Sequence, residues 1–149
     1  MYKRIAVPLD GSELAETALP HALELARCMG GEVYPIRVAP PAQYVVSPAG
    51  GAPLFPEEVL QQDRREAERY LEVVAARCQT EGVAAHVQLL IGPVAETVVD
   101  FAKENGMDLI VMSTHGRSGV SRWVYGSVAE KVLRGAHCPT LIVRRLSMA

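Results

Sequence analysis

Short apolar runs alternate along this chain with longer segments of helical periodicity. The five apolar runs are residues 4–9 (RIAVPL), 32–39 (EVYPIRVA), 85–91 (AHVQLLI), 108–113 (DLIVMS) and 140–144 (TLIVR). Strands that are apolar throughout and separated by helices are typical of a parallel sheet covered on both faces. The pattern therefore predicts an α/β protein with five strands, and residues 1–149 fit a single domain of ordinary size.

Helix ends can be predicted from capping residues, prolines and glycines. These signals predict four helices: from a Ser12 cap to Gly30-Gly31, from near Pro56 to Gly82, from Pro93 to Gly106, and from Ser127 to near Gly135. Apolar residues recur at helical spacing within the first and third of these segments. Each predicted helix therefore joins two consecutive predicted strands.

Two segments do not fit this scheme. Pro35 lies inside the second predicted strand, although proline lacks the N–H that a sheet ladder uses and is normally confined to edges or bulges. Residues 40–56 are rich in proline, alanine and glycine and have no periodicity. We expect them to form a long mobile loop, or alternatively a lid over a ligand.

Composition excludes several classes of protein. The formal net charge is −2 and the basic residues are scattered, so we expect no nucleic-acid partner. No apolar run has the length of a membrane span or of a signal peptide, so we expect a cytoplasmic protein without a membrane partner. Cys28, Cys78 and Cys138 are far apart in the sequence, which favours free thiols over disulfides or a zinc site.

The stretch MSTHGRSGVSRWVYGSVAEK, residues 112–131, is the main candidate for a binding site. It follows the fourth predicted strand, and open α/β sheets bind ligands beyond the carboxyl ends of their strands. Glycines 116, 119 and 126 permit close backbone approach, and Gly126-Ser127 leads into a helix whose first N–H groups attract anions. The stretch therefore predicts a phosphate site, although Ser127 and Glu130 also have the spacing of a capping box, which requires no ligand.

Charged side chains of this stretch have two interpretations each. Arg117 and Arg122 can reach a phosphate or remain solvated, and His115 can bond a phosphate or pack within the turn.

The usual phosphate-loop motifs are absent from the sequence. The sequence contains no Gly-x-x-x-x-Gly-Lys motif, and no Gly-x-Gly-x-x-Gly motif follows the first strand. The stretch instead resembles the signature of the nucleotide-binding branch of the universal stress protein family: glycine, two residues, glycine, nine residues, glycine, then serine or threonine. Gly116, Gly126 and Ser127 match it, whereas Ser113 occupies the first glycine position. VPLDGS, LIVMSTHG and PTLIVRR extend the similarity over the whole chain.

The resemblance implies a single universal stress protein domain. Its fold would be Rossmann-like, of the adenine nucleotide alpha hydrolase-like type, with three layers and five parallel strands in the order 3-2-1-4-5. It also implies a homodimer that pairs the last strand, Thr140, Leu141, Ile142 and Val143, and so covers an apolar edge.

The implied ligand is ATP or a related adenine nucleotide (ADP, AMP or cyclic AMP), with Mg²⁺ at the phosphates. Val38 and Met112 would lie beside adenine and Asp10 near the ribose hydroxyls. The remaining implied contacts are Pro8, Ser113, Gly116, Gly119, Gly126, Ser127 and Val128. Asp10 has a second interpretation, in which it bonds the backbone of its own turn. The Ser113 hydroxyl would either donate to the α-phosphate or narrow the cleft.

Three functions are compatible with the sequence. The first is a nucleotide-responsive, dimeric stress or regulatory protein. The second is a slow ATPase or phosphotransferase, although the segment between Ser113 and Val128 has no carboxylate to orient an attacking water. The third is a dimeric scaffold without a ligand. We favour the first, and expect weak ATP hydrolysis at most.

Overall fold

A parallel sheet with helices on both faces forms the protein. The structure is a computed structural model that describes residues 1–41, 57–114 and 126–144. Its elements are β1 (Arg4–Leu9), α1 (Glu13–Glu16), α2 (Ala18–Met29), β2 (Glu32–Ala39), α3 (Glu57–Thr80), β3 (Gln88–Ile91), α4 (Val94–Glu104), β4 (Leu109–Ser113), α5 (Ser127–Gly135) and β5 (Thr140–Val143). The strand order β3-β2-β1-β4-β5 confirms the predicted Rossmann-like topology. Most of the predicted loop at 40–56 lies outside the described residues.

Successive residues of the central strand enter two different apolar clusters. Ile5, Val7 and Leu9 pack with α2 and α3 on one face of the sheet. Ala6 packs with α4 and α5 on the other face, where Ile110 of β4 is fully buried. This alternation follows from the two-residue period of a strand. Both faces of β1 are therefore covered, as the apolar runs predicted.

The first predicted helix is in fact two helices. Ser12 caps α1 as predicted, because its hydroxyl oxygen accepts the N–H of Ala15 at 3.1 Å. However, the chain turns at Thr17 and α2 begins at Ala18. Pro20 explains the break, because proline has no N–H for the carbonyl four residues earlier and is tolerated only within the first turn of a helix. The prediction of one continuous helix was wrong.

Pro35 lies in an internal strand without breaking it. The N–H and C=O of Val33 bond Ala84 and His86 on the β3 side of β2. By the two-residue period, Pro35 is directed to the same side. There the ladder is interrupted, because Val33 and Ala85 form an isolated bridge and regular pairing resumes only at Ile36 and Gln88. The missing N–H thus falls where no partner is required, and the same gap explains why β3 begins at Gln88 rather than at the predicted residue 85.

A polar network lies at the amino edge of the sheet. The Tyr34 hydroxyl donates to Oε1 of Glu32 at 2.5 Å and accepts from Nη2 of Arg4 at 3.0 Å. Oε2 of Glu32 contacts Nε2 of His86 at 2.9 Å. The hydrogen bonds from Tyr34 and then His86 hold the pKa of Glu32 below its ordinary value.

We expect Glu32→Gln to destabilise the protein at pH 7 and to have a smaller effect at pH 3. A carboxyl group whose pKa is lowered by folding stabilises the folded state above its unfolded pKa, about 4.3. That contribution disappears as the pH falls through the lower, folded pKa. Urea unfolding of both proteins at the two pH values measures the difference. Glu96→Gln is the matched control, since among the described residues Glu96 forms only an exposed 3.7 Å pair with Lys131. An equal loss at both pH values would contradict the prediction.

Candidate functional site

A crevice opens at the carboxyl edge of the sheet, between β1 and β4. These strands pair as far as Ala6 and Ile110 and then part, although β1 continues to Leu9 and β4 to Ser113. By contrast, β1 remains paired with β2, and β4 with β5, to the ends of the strands. In a sheet ordered 3-2-1-4-5, this is the switch point at which ligands bind in open α/β proteins.

Asp10 follows β1 directly and stabilises its own turn. Its Oδ1 accepts the backbone N–H of Ser12 at 2.8 Å and also the Ser12 hydroxyl. The turn-forming interpretation is therefore confirmed. Within the described ranges, both of these hydrogen bonds use Oδ1, which leaves Oδ2 for a ligand. The two interpretations of Asp10 are thus compatible.

The amino end of α5 lies close to the end of β4. The N–H of Gly126 donates to the carbonyl of Thr114 at 2.8 Å, so the two residues that flank residues 115–125 are in direct contact. Gly126 is the N-cap, with φ −57° and ψ 152°, and Ser127 is the first helical residue.

No side chain in the described part of the chain caps α5. Glu130 instead pairs with Arg134, at 2.7 Å between Oε1 and Nη2. The capping box predicted from Ser127 and Glu130 is therefore wrong, because Ser127 lies one residue inside the helix. The capping box therefore does not explain this sequence. Within the described ranges no side chain accepts from the first N–H groups of α5, and such groups attract anions.

Several predicted nucleotide contacts share one face of the sheet. Met112 is buried in the cluster formed with α4 and α5, and Val38 and Val128 pack against that cluster. Pro8 has the same parity as Ala6 and so lies on the same side of β1. Val38 and Met112, the two residues that the resemblance implied for adenine, are thus part of one apolar surface.

Ser113 ends β4 and is buried. Since successive strand residues alternate, it lies on the face opposite Met112. Its role at the nucleotide stays a prediction. Gly116 and Gly119 lie outside the described residues, as do His115, Arg117 and Arg122.

Two residues beside the Asp10 turn were not predicted. The guanidinium of Arg37, on β2, lies against Gly11: a β-carbon added at Gly11 would be 3.3 Å from Nη1 and 3.6 Å from Cζ. A second neighbour of Arg37 is Tyr70 of α3, whose ring centroid is 5.9 Å from Cζ. The pairing of Leu9 with Arg37 would have revealed the first contact, but only once the register was known.

Tyr70 is a half-buried side chain beside this turn, and its hydroxyl oxygen is buried. Within the described ranges its hydroxyl has no hydrogen bond of normal geometry. Burial, followed by the negative charge of Glu16, raises the pKa of Tyr70 to about 12. The hydroxyl therefore stays protonated at physiological pH.

Neither metal ligation nor membrane insertion is indicated by the described residues. They contain no group of three or more His, Cys, Asp or Glu side chains placed to hold a metal ion. No helix in the same ranges is long and apolar enough to cross a bilayer. Cys28, Cys78 and Cys138 are free, as predicted, and burial raises the pKa of the Cys78 and Cys138 thiols.

The topology and the crevice define a doubly wound, Rossmann-like α/β protein with a candidate site at its switch point. The profile of the universal stress protein family matches residues 1–144. The chain belongs to the universal stress protein family.

Relatives are similar along nearly the whole chain. Universal stress protein MJ0531 of Methanocaldococcus jannaschii is 39% identical over 145 residues, which cover 97% of this chain and 84% of that protein. The structure of MJ0577, from the same organism, superposes with a TM-score of 0.84 at 28% identity and covers 99% of both chains. An Archaeoglobus fulgidus universal stress protein, solved in complex with dAMP, has a TM-score of 0.69 at 28% identity and covers 95% of this chain and 97% of its own.

Proposed function

We propose that this chain binds an adenine nucleotide in the crevice between β1 and β4 and acts as a nucleotide-responsive stress or regulatory protein. The observation that carries the proposal is the amino end of α5, which no described side chain caps and which lies beside the end of β4, beyond the point where β1 and β4 part. The dAMP complex of the Archaeoglobus fulgidus relative supports the choice of an adenine nucleotide.

The helix terminus alone is too weak to hold a nucleotide. It contributes roughly 0.3–1 kcal/mol toward an anion, and up to about 2 kcal/mol when partly buried, whereas micromolar binding requires about 8 kcal/mol. We assign the phosphates to this terminus, that is, to Gly126, Ser127 and the N–H of Val128. Because the terminus is too weak alone, the base and the sugar must supply most of the remaining binding free energy.

The apolar surface and the carboxylate at the crevice fit these two parts. Pro8, Val38 and Met112 would contact adenine, and Oδ2 of Asp10 would accept from the ribose hydroxyls. Ser113, Gly116 and Gly119 complete the proposed site. ATP is the proposed ligand, with ADP, AMP and cyclic AMP as related candidates and Mg²⁺ at the phosphates.

Binding rather than turnover is the proposed role. The segment from Ser113 to Val128 contains no carboxylate that could orient a water molecule for attack on a phosphate. Slow ATP hydrolysis is the most that this composition supports. The protein would instead present different surfaces to a partner in its bound and free forms, in the cytoplasm.

A homodimer through β5 is part of the proposal. β5 is an edge strand, and its Leu141 is 38% exposed. Thr140, Leu141, Ile142 and Val143 would pair with the same strand of a second copy. Such pairing would cover an apolar edge that is otherwise prone to aggregation.

Calorimetric titration of nucleotide-stripped protein with ATP and magnesium tests the proposal. We expect micromolar affinity at one site per chain. Absence of binding at millimolar ATP would overturn it.

The combined change Gly126→Ala and Ser127→Leu should weaken ATP binding at least tenfold, or about 1.4 kcal/mol. The added side chains would occupy the space of the phosphates. Folding should be preserved, because the φ of −57° at Gly126 is accessible to any residue. Gly135→Ala, at the other end of α5, is the matched control and should leave the affinity unchanged. Unchanged affinity in the double variant would refute the phosphate assignment.

A further inference from the structure

The Asp10 turn is in contact with a charged side chain from another strand, the guanidinium of Arg37. Gly11 has a φ of +84°, a conformation that favours glycine, so the turn already has a defined shape. The Arg37 guanidinium lies flat against it, with Nη1, Cζ and Nη2 at 3.3, 3.6 and 3.7 Å from the position of a β-carbon. These three distances mean that the planar group, rather than one tip of it, covers the turn.

Arg37 is held from its other side by α3. Its guanidinium carbon is 5.9 Å from the centroid of the Tyr70 ring, within the range of a cation–π interaction. The side chain therefore lies between the turn and an aromatic ring. A planar guanidinium suits this position better than a lysine ammonium, because it can contact both neighbours with its flat faces.

Among the described residues, Arg37 forms no ion pair with a carboxylate. Arg77, by contrast, pairs with Glu16. Arginine on a protein surface commonly has such a partner or is fully solvated, and Arg37 is half-buried. Its partners here are a glycine surface and a ring face. This arrangement indicates that the side chain serves the shape of the turn.

We propose that Arg37 is a positioning residue for ribose recognition. By filling the space between Gly11 and Tyr70, it holds the Asp10 turn in the form in which Oδ1 bonds Ser12 and Oδ2 is left for the ribose hydroxyls. This inference rests on the proposed nucleotide site and adds to it a residue that does not itself touch the ligand.

The test compares ATP with 2′,3′-dideoxyATP, which lacks both ribose hydroxyls. Removing both is necessary because the Archaeoglobus fulgidus relative was solved with a 2′-deoxynucleotide. In the unmodified protein we expect dideoxyATP to bind at least tenfold more weakly than ATP, since hydrogen bonds to a charged group are among the stronger ones. In Arg37→Met the preference should fall to about threefold or less.

Two further proteins make the comparison specific. Asp10→Ala should lose the preference as well, and adding Arg37→Met to it should cause no further loss, because both changes remove one interaction. Arg27→Met is the matched control: Arg27 pairs on the surface with Glu24 and Glu81, and the preference should stay at its original value. A purely structural effect of Arg37 would weaken both nucleotides equally and leave their ratio unchanged.

The outcomes separate the two proposals. An unchanged preference in Arg37→Met would overturn the positioning role while nucleotide binding stands. Tight ATP binding without any ribose preference would overturn the role of Asp10 and, with it, that of Arg37. No binding of either nucleotide would refute the proposed function itself and this inference with it.

A second measurement, amide hydrogen exchange, requires no nucleotide. In nucleotide-free Arg37→Met we expect faster exchange at Ser12 than in the unmodified protein, because the Ser12 N–H donates to Asp10 at 2.8 Å and the turn would be less firmly held. If Arg37→Met does not fold, Arg37→Lys replaces it in both experiments. An exchange rate at Ser12 equal to that of the unmodified protein would contradict the inference.

Discussion

Replacing Ile110 by alanine is expected to lower the free energy of unfolding by about 2–5 kcal/mol. Ile110 has 0% of its surface exposed and lies in the cluster between the sheet and α4 and α5. It pairs with Ala6 of β1 on one side and Thr140 of β5 on the other. These strands hold the backbone in place, so the structure cannot close the cavity that the shorter side chain would leave. Urea unfolding followed by circular dichroism measures the loss.

Val73→Ala is the control for this change. Val73 lies on α3 with 61% of its surface exposed, so its truncation should alter stability by about 0.5 kcal/mol or less. A loss below about 1 kcal/mol for Ile110→Ala would mean that the core beneath the crevice is not closed as described. Since Ile110 is also the last β4 residue paired with β1, its variant should be examined for nucleotide affinity too.

Gly31→Ala is expected to destabilise the protein by roughly 1–3 kcal/mol. A β-carbon at Gly31 would lie 2.7 Å from the carbonyl oxygen of Tyr2 and 2.8 Å from that of Lys3. These are backbone atoms, which cannot rotate away. The chain before β1 would have to shift and strain the bond from the N–H of Glu32 to the Lys3 carbonyl, 2.8 Å long. Thermal and urea unfolding would both report the change.

Gly135→Ala provides the comparison with a glycine that has room. Its added β-carbon would be 3.5 Å from the nearest atom, in the side chain of Val99, which is an ordinary contact. Alanine is also the better helix residue, so stability should be equal or higher by up to about 1 kcal/mol. If both substitutions had the same effect, the close approach at Gly31 would be refuted.

The central strands were predictable because β1 and β4 are apolar runs with largely buried faces. The edge strands β3 and β5 are also apolar runs, although they are only partly buried. The break before α2 was missed because Leu14, Ala18 and Ala22 keep helical spacing across it, and Pro20 alone contradicts continuity. Pro35 was correctly noted as unusual. Its explanation required the register of β3, which depends on contacts between segments far apart in the sequence.

The candidate site was predictable only in part. The position of Asp10 and the helix start near Gly126 followed from local motifs. The capping box was a one-residue error: the cap position falls to Gly126, whose N–H bonds the Thr114 carbonyl, and a sequence motif does not show that tertiary bond. Arg37 and Tyr70 were missed for the same reason, since they meet the Asp10 turn from β2 and α3.

The bond between Thr114 and Gly126 also bears on how this protein can diversify. Residues 115–125 lie between Thr114 and Gly126, which are joined by this hydrogen bond. Changing the length of such an insertion costs little, about 0.6 kcal/mol for each doubling. Under the proposed function, mutation of this segment would alter which phosphate chain is accepted while β4 and α5 keep their places. Ligand preference and fold stability would then evolve almost independently.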